Sequence, residues 1–146
     1  MKMEQIGVRR VKLMGILSVL AVVGLMVVVG ACANSVKFPI STVTPAADIV
    51  AVRSHDGNGN TMMRITARNL AAVDRIASPK KAYVVWIVTD RDGAKNVGKL
   101  TNRNSRTARL ETLIPAYSTE VFITAEEDGE VTAPSGIEIT RIRFEK

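Results

Sequence analysis

Residues 61–68 read TMMRITAR. Met63, Ile65 and Ala67 occupy one set of alternate positions, and Arg64, Thr66 and Arg68 occupy the other. A period of two sends the first set to one face of a strand and the second to the opposite face. Such strict alternation marks an antiparallel sheet with one face packed and the other in water. Just upstream, HDGNGN (55–60) is rich in Gly and Asn, which accept positive φ at little cost. It therefore predicts a hairpin turn back to a partner strand, DIVAVRS (48–54).

The same logic extends outward. NLAAVDRIASP (69–79) reads as an irregular or single-turn connection. It is also compatible with a short helix capped by Asn69, with Leu70, Val73 and Ile76 on one side. KAYVVWIVTD (81–90) is apolar at both sets of alternate positions, which predicts a central strand covered on both faces. Trp86 is expected to fill the middle of the core. RDG (91–93) turns the chain and AKNVGKL (94–100) returns it. NRNSRT (102–107) reads as a polar loop. ARLETLI (108–114), closed by Pro115, and STEVFITAEE (118–127) are further strands, the second with Val121, Ile123 and Ala125 facing in. DGEVTAPSG (128–136) is a turn-rich connection.

The last segment, IEITRIRFEK (137–146), slips out of phase. Ile137 and Ile139 share one face, while Ile142 and Phe144 lie on the other, so a bulge near Thr140 is expected. At the front, residues 33–47 carry Pro39 and Pro45 and read as a short tether and first edge strand, with a turn at PAA. The sum is seven or eight short strands. This pattern predicts an all-β, immunoglobulin-like antiparallel β-sandwich over residues 48–146, a class of roughly 100 residues.

Composition changes sharply before that domain. Leu13 to Ala33 contains no charged residue, and Lys2, Arg9, Arg10 and Lys12 precede it against Glu4 alone. A basic start, an apolar stretch and small residues at its end make a secretory signal, or an N-terminal hydrophobic helix if it is kept. The basic end stays cytoplasmic. The whole chain carries +6, and the part beyond residue 31 carries +3, distributed over many turns. With aromatics at 4%, there is no stacking platform, which argues against a nucleic-acid partner.

The only cysteine, Cys32, sits at the end of the apolar run. Val29, Gly30, Ala31 and Cys32 spell VGAC, which resembles a bacterial lipobox. That resemblance implies a diacylglycerol on the Cys32 sulfur, cleavage just before it and an N-acyl chain on the new terminus. Residues 1–31 then form a lipoprotein signal peptide, and residues 32–47 hold the lipidated cysteine and the tether. A thioether also removes the liability of a free thiol in an oxidising compartment. Ala33 follows Cys32 where the family's inner-membrane retention signal has an aspartate, which favours the outer membrane in a cell with two. The alternative is an uncut chain, because about 20 apolar residues suffice to span a bilayer.

Tyr83, Val85 and Trp86, followed by Gly98 and Leu100 and then by Thr124, Glu126, Pro134 and Gly136, form a second pattern. It resembles the extracytoplasmic C-terminal domain of the anti-sigma-K factor family, over roughly residues 82–136. That family places a sigma-binding domain before its membrane span. Here about twelve residues precede the apolar run, so the resemblance implies an external sandwich without a sigma-binding domain.

Three groups are candidate sites. Asp56, Asn58 and Asn60 have the oxygen spacing that opens a calcium loop, but position 67 is Ala where a bidentate acid is needed. A plain turn is the favoured reading, and no metal or other cofactor is expected apart from the lipid. His55, the single histidine, lies beside Asp56 with no nucleophile motif near it, so a solvent-exposed turn histidine is expected. Glu126, Glu127, Asp128 and Glu130 crowd one turn, which suits a solvated loop facing Arg103, Arg106 or Arg109 better than a pair of catalytic acids. With no phosphate loop, zinc spacing or nucleophile elbow, the sequence predicts a protein that is not an enzyme. The expected role is a lipid-anchored protein of the bacterial cell envelope that binds, scaffolds or maintains. Its expected partners are the bilayer, through Cys32, and an envelope protein docked on a sheet edge. The alternative is an uncut single-pass sensor or signalling subunit.

Overall fold

Alternation at the strand positions decides the architecture, and the computed structural model describes it for residues 34–55 and 58–144. The chain is all-β, with nine strands among the described residues. They are β1 (Asn34–Lys37), β2 (Asp48–His55), β3 (Thr61–Arg68), β4 (Ala82–Thr89), β5 (Gly93–Lys99), β6 (Thr101–Asn104), β7 (Thr107–Ile114), β8 (Ser118–Glu126) and β9 (Ile137–Arg143). They form two antiparallel sheets, ordered β1-β2-β3-β7-β6 and β5-β4-β8-β9. Val29, Gly30, Ala31 and Cys32 lie outside the described residues, as do the signal helix and Asp56.

β3 is TMMRITAR, and Thr61, Met63, Ile65 and Ala67 are all buried while Arg64 and Arg68 are exposed. Its register to β2 pairs His55 with Thr61 and Asp48 with Arg68, so HDGNGN closes a hairpin. The core lies between the sheets. Ile49, Ala51, Met63 and Ile65 meet Tyr83, Val85, Ile87, Val121, Ile123 and Ala125 there. The connection from β3 to β4 contains one 3-10 turn, Val73–Arg75, with Ala72 rather than Asn69 at its cap position. Asn69 instead adopts φ +52° and donates its N–H to the Arg106 carbonyl at 2.9 Å.

Two expectations are corrected, and the first of them raises the strand count from the seven or eight expected to nine. NRNSRT is not a loop: Thr101–Asn104 is β6, paired antiparallel with β7 through a turn at residues 105–106. All four of its residues are exposed, so it has no apolar alternation to reveal it. Trp86 is fully buried but not in the inter-sheet core. It lies on the outer face of the four-stranded sheet, in a second cluster with Val84 and Phe122. Both faces of β4 are apolar because each covers a different cluster.

The slip in the last segment is a bulge. Ile123 pairs with Thr140 and Thr124 with Glu138, leaving Ile139 as the extra residue. Ile139 and Ile142 therefore both reach the core, and Phe144 packs against it. Similar interruptions leave Val97 extra in β5 and Arg103 extra in β6. Bulges and short length are the ways native sheets blunt their edges. Three of the four edge strands here carry a bulge, and the fourth, β1, has four residues.

At the corner where β5 leaves one sheet and β6 joins the other, Gly98 adopts φ +130°, and a Cβ there would stand 3.0 Å from Leu110. Leu100 continues the turn, with its N–H bonded to the Tyr83 carbonyl at 2.9 Å.

Candidate functional site

Three regions gather polar side chains. The first is the outer face of the four-stranded sheet. The Trp86 indole stacks on Phe122, with centroids 6.1 Å apart and planes 14° from parallel. Arg141 covers the other side of Phe122 at 4.0 Å. Its guanidinium takes Glu138 in a fork, at 3.1 and 2.7 Å, and Glu120 at 2.6 Å.

Beneath the β8–β9 connection, Trp86 Nε1 donates to Thr124 Oγ1 at 2.8 Å, and that hydroxyl donates to Glu126 at 2.6 Å. The Ser135 amide and hydroxyl complete the set at 3.2 and 3.0 Å. Glu126 is 1% exposed. Burial pushes its carboxyl up, but the hydrogen bonds from Thr124, Gly136 and Ser135 outweigh burial and hold it below the ordinary range. Gly136 has no room for a side chain, because a Cβ would land on the Ala125 carbonyl oxygen.

Glu126 therefore departs from the expected solvated loop. It is a buried acceptor that ties the 127–136 connection to the sheet. Its neighbours behave differently. Glu127 pairs with Lys80 at 2.7 Å and Glu130 approaches Lys99 at 3.9 Å, while Asp128 accepts the Glu130 N–H at 3.1 Å. Of the expected arginine partners, only Arg106 borders the same cleft.

That cleft is the second region. It opens between the ends of the two sheets, with a volume of about 1020 Å³. Its walls are the β3–β4 connection, the β6–β7 turn and the start of the β8–β9 connection. Lys81, Lys99, Arg75 and Arg106 border it against Asp74, Glu127 and Asp128, and Tyr83 and Leu100 line it more deeply. The Tyr83 hydroxyl donates to the Ala71 carbonyl at 2.9 Å. Burial, helped by the charge of Asp74, pushes this phenol up to about 12. None of the lining residues is a histidine or a cysteine, and the cleft offers charge and hydrogen bonds to a polar ligand.

The third region is the outer face of the five-stranded sheet. The registers Arg64↔Glu111, Thr66↔Arg109 and Asp48↔Arg68 align charged residues from three strands on it. Arg103 joins Arg64, Arg109 and Glu111 around a shallow depression. Lys37 of β1 reaches Asp48 at 2.8 Å, and Arg64 reaches Glu111 at 2.8 Å. Five cations thus face two carboxylates, an excess of three, which equals the net charge of the whole chain beyond residue 31. The expectation of evenly distributed charge is corrected here. Strand register collects residues that are far apart in sequence.

His55 ends β2, exposed, with Nδ1 3.0 Å from the buried Thr61 hydroxyl across the hairpin. Asn58 and Asn60 follow in the turn. Among the described residues, no group of three or more His, Cys, Asp or Glu side chains comes together as a metal site. No protein-family model, curated protein or solved structure matches this chain.

Proposed function

We propose that this chain is an exported bacterial lipoprotein, anchored through acyl chains on Cys32, that presents an immunoglobulin-like sandwich at the membrane as a non-catalytic binding or scaffolding module. The observation that carries the reading is the joining of two features. Val29–Cys32 reads as a lipobox, and β1 begins at Asn34, two residues further on. An anchor at Cys32 would thus hold a structured domain directly at the surface. The immunoglobulin-like assignment rests on strand order. β2-β3-β7-β6 against β4-β8-β9, with β5 added beside β4, follows the A-B-E-D and C-F-G order of that class.

Several residues of the pattern that resembles the anti-sigma-K domain also meet in this fold. Trp86, Thr124, Glu126 and Gly136 of the shared pattern converge on one network, although they are spread over fifty residues. For a partner, the bulged edges leave little straight strand to extend, so we place protein docking at the polar cleft between the sheet ends, with the short edge of β1, unpaired among the described residues, as the remaining strand-pairing site. Metabolic labelling with an alkyne fatty acid tests the anchor. Label on the wild type that vanishes in Cys32→Ala supports it, and equal label or none in both rejects it in favour of the uncut single-pass alternative.

A further inference from the structure

We infer that the outer face of the five-stranded sheet is a docking surface for anionic phospholipid headgroups, so that the sandwich lies with this sheet against its own membrane. The inference rests on the membrane-anchored reading above and goes beyond it by assigning a face and an orientation.

Three observations converge. First, the face has a net excess of cations, and Arg68, Arg103 and Arg109 are exposed on it. The opposite outer face, on the four-stranded sheet, is occupied differently, since Arg141 and Arg143 are engaged by Glu120 and Glu138. Of the two outer faces, the five-stranded one therefore complements an anionic surface. Second, β1 is an edge strand of that same sheet. Asn34 pairs with Arg53 at the end where β2 finishes and β3 begins. Two residue steps separate it from Cys32, a reach of at most about 7 Å. So short a connection keeps the local concentration of lipid high, and weak contacts suffice to orient the domain.

Third, the face is apolar at that same end. Leu113 is 58% exposed, and it lies opposite Met62 across the strand pair. An apolar margin beside the anchor with arginines further along the sheet matches a headgroup layer, where apolar groups enter the interface and cations meet phosphates.

The test uses the mature protein extracted from membranes with its Cys32 lipid, in nanodiscs that carry a gadolinium chelate on a fraction of headgroups, with amide relaxation read by NMR. In discs containing phosphatidylglycerol, the amides of Val50, Thr66 and Arg109 should relax at least about twofold faster than those of Glu138 and Arg141, the contrast expected of an electrostatic contact. Phosphatidylcholine discs, or high salt with unaltered protein, should abolish the contrast. Charge reversal at Arg68, Arg103 and Arg109 together should do the same. Equal relaxation on both sheets would overturn the proposal, and so would a contrast that survives in phosphatidylcholine. A face that takes a DNA duplex while anionic discs leave it unmarked would assign it to nucleic acid and also overturn it. Anchorage is read separately, by co-elution with uncharged discs, so a failed anchor and a failed face give different results.

Discussion

Trp86 on β4 and Thr124 on β8 are joined by a 2.8 Å hydrogen bond on the side of the sheet that faces away from the inter-sheet core. Thr124 Oγ1 accepts from the indole and donates to Glu126, so one hydroxyl links an aromatic cluster to a buried carboxylate. The 127–136 connection closes over both through Ser135. A charged group at this depth is tolerated because Thr124, Ser135 and Gly136 all donate hydrogen bonds to it. Its role is to fix a turn-rich segment on a surface that would otherwise expose Trp86 and Phe122.

Removing either end of this chain of contacts should be costly. Glu126→Ala leaves the Thr124 hydroxyl and the Ser135 amide without their acceptor, and should lower stability by about 3 kcal/mol. Trp86→Ala empties the second cluster and should cost about 3–5 kcal/mol. Urea unfolding followed by circular dichroism gives both values. Losses below 1 kcal/mol would mean that the connection is held by other contacts.

Acid should act through the same carboxylate. The folded state holds Glu126 below the ordinary carboxylate range, while the unfolded chain titrates it at about 4.3. A depressed value contributes stability above the unfolded pKa, and that contribution is lost as pH falls through the folded one. Unfolding midpoints measured across this acid range should decline, and Glu126→Gln should flatten the decline.

Gly136 admits no side chain, since the Ala125 carbonyl oxygen occupies the space of a Cβ. Gly136→Ala should destabilise by about 2 kcal/mol or more, because backbone must shift rather than a flexible side chain. The shift would displace Ser135 from Glu126, so the emission of the only tryptophan, Trp86, should move to the red in the folded variant. Unchanged emission and stability would contradict the packing.

Alkali should act at Tyr83. Its phenol is pushed up to about 12, against about 10 in the unfolded chain. A raised value contributes stability below the unfolded pKa, and that contribution is lost as pH rises towards the folded one. Ultraviolet titration of ionised tyrosine should show one group ionising late or only with unfolding. Tyr83→Phe should remove that late phase, at a cost of about 1 kcal/mol for the bond to Ala71.

Much of the fold was legible because burial on one face writes itself into sequence as alternation. TMMRITAR is β3 residue for residue, and the phase slip in IEITRIRFEK located the bulge to within one residue. β6 left no such trace, since an exposed edge strand of four polar residues has the composition of a loop. The side taken by Trp86 was illegible because both faces of β4 are apolar, and only register to β8 sets the indole beside Phe122 and Thr124. Glu126 was hidden among acids of the same turn, although Gly136, ten residues on, supplies the close approach that buries it. The basic face was invisible for a different reason. Lys37, Arg64, Arg68, Arg103 and Arg109 become neighbours only through strand pairing.

The central claim concerns Cys32, and the intact mass of the protein extracted from membranes tests it most directly, beside Cys32→Ala. The account predicts a mature species that begins at Cys32 and carries acyl chains, absent from the variant. A chain that still includes residues 1–31 and bears no lipid would contradict it, and would make this sandwich the external part of a membrane-spanning protein.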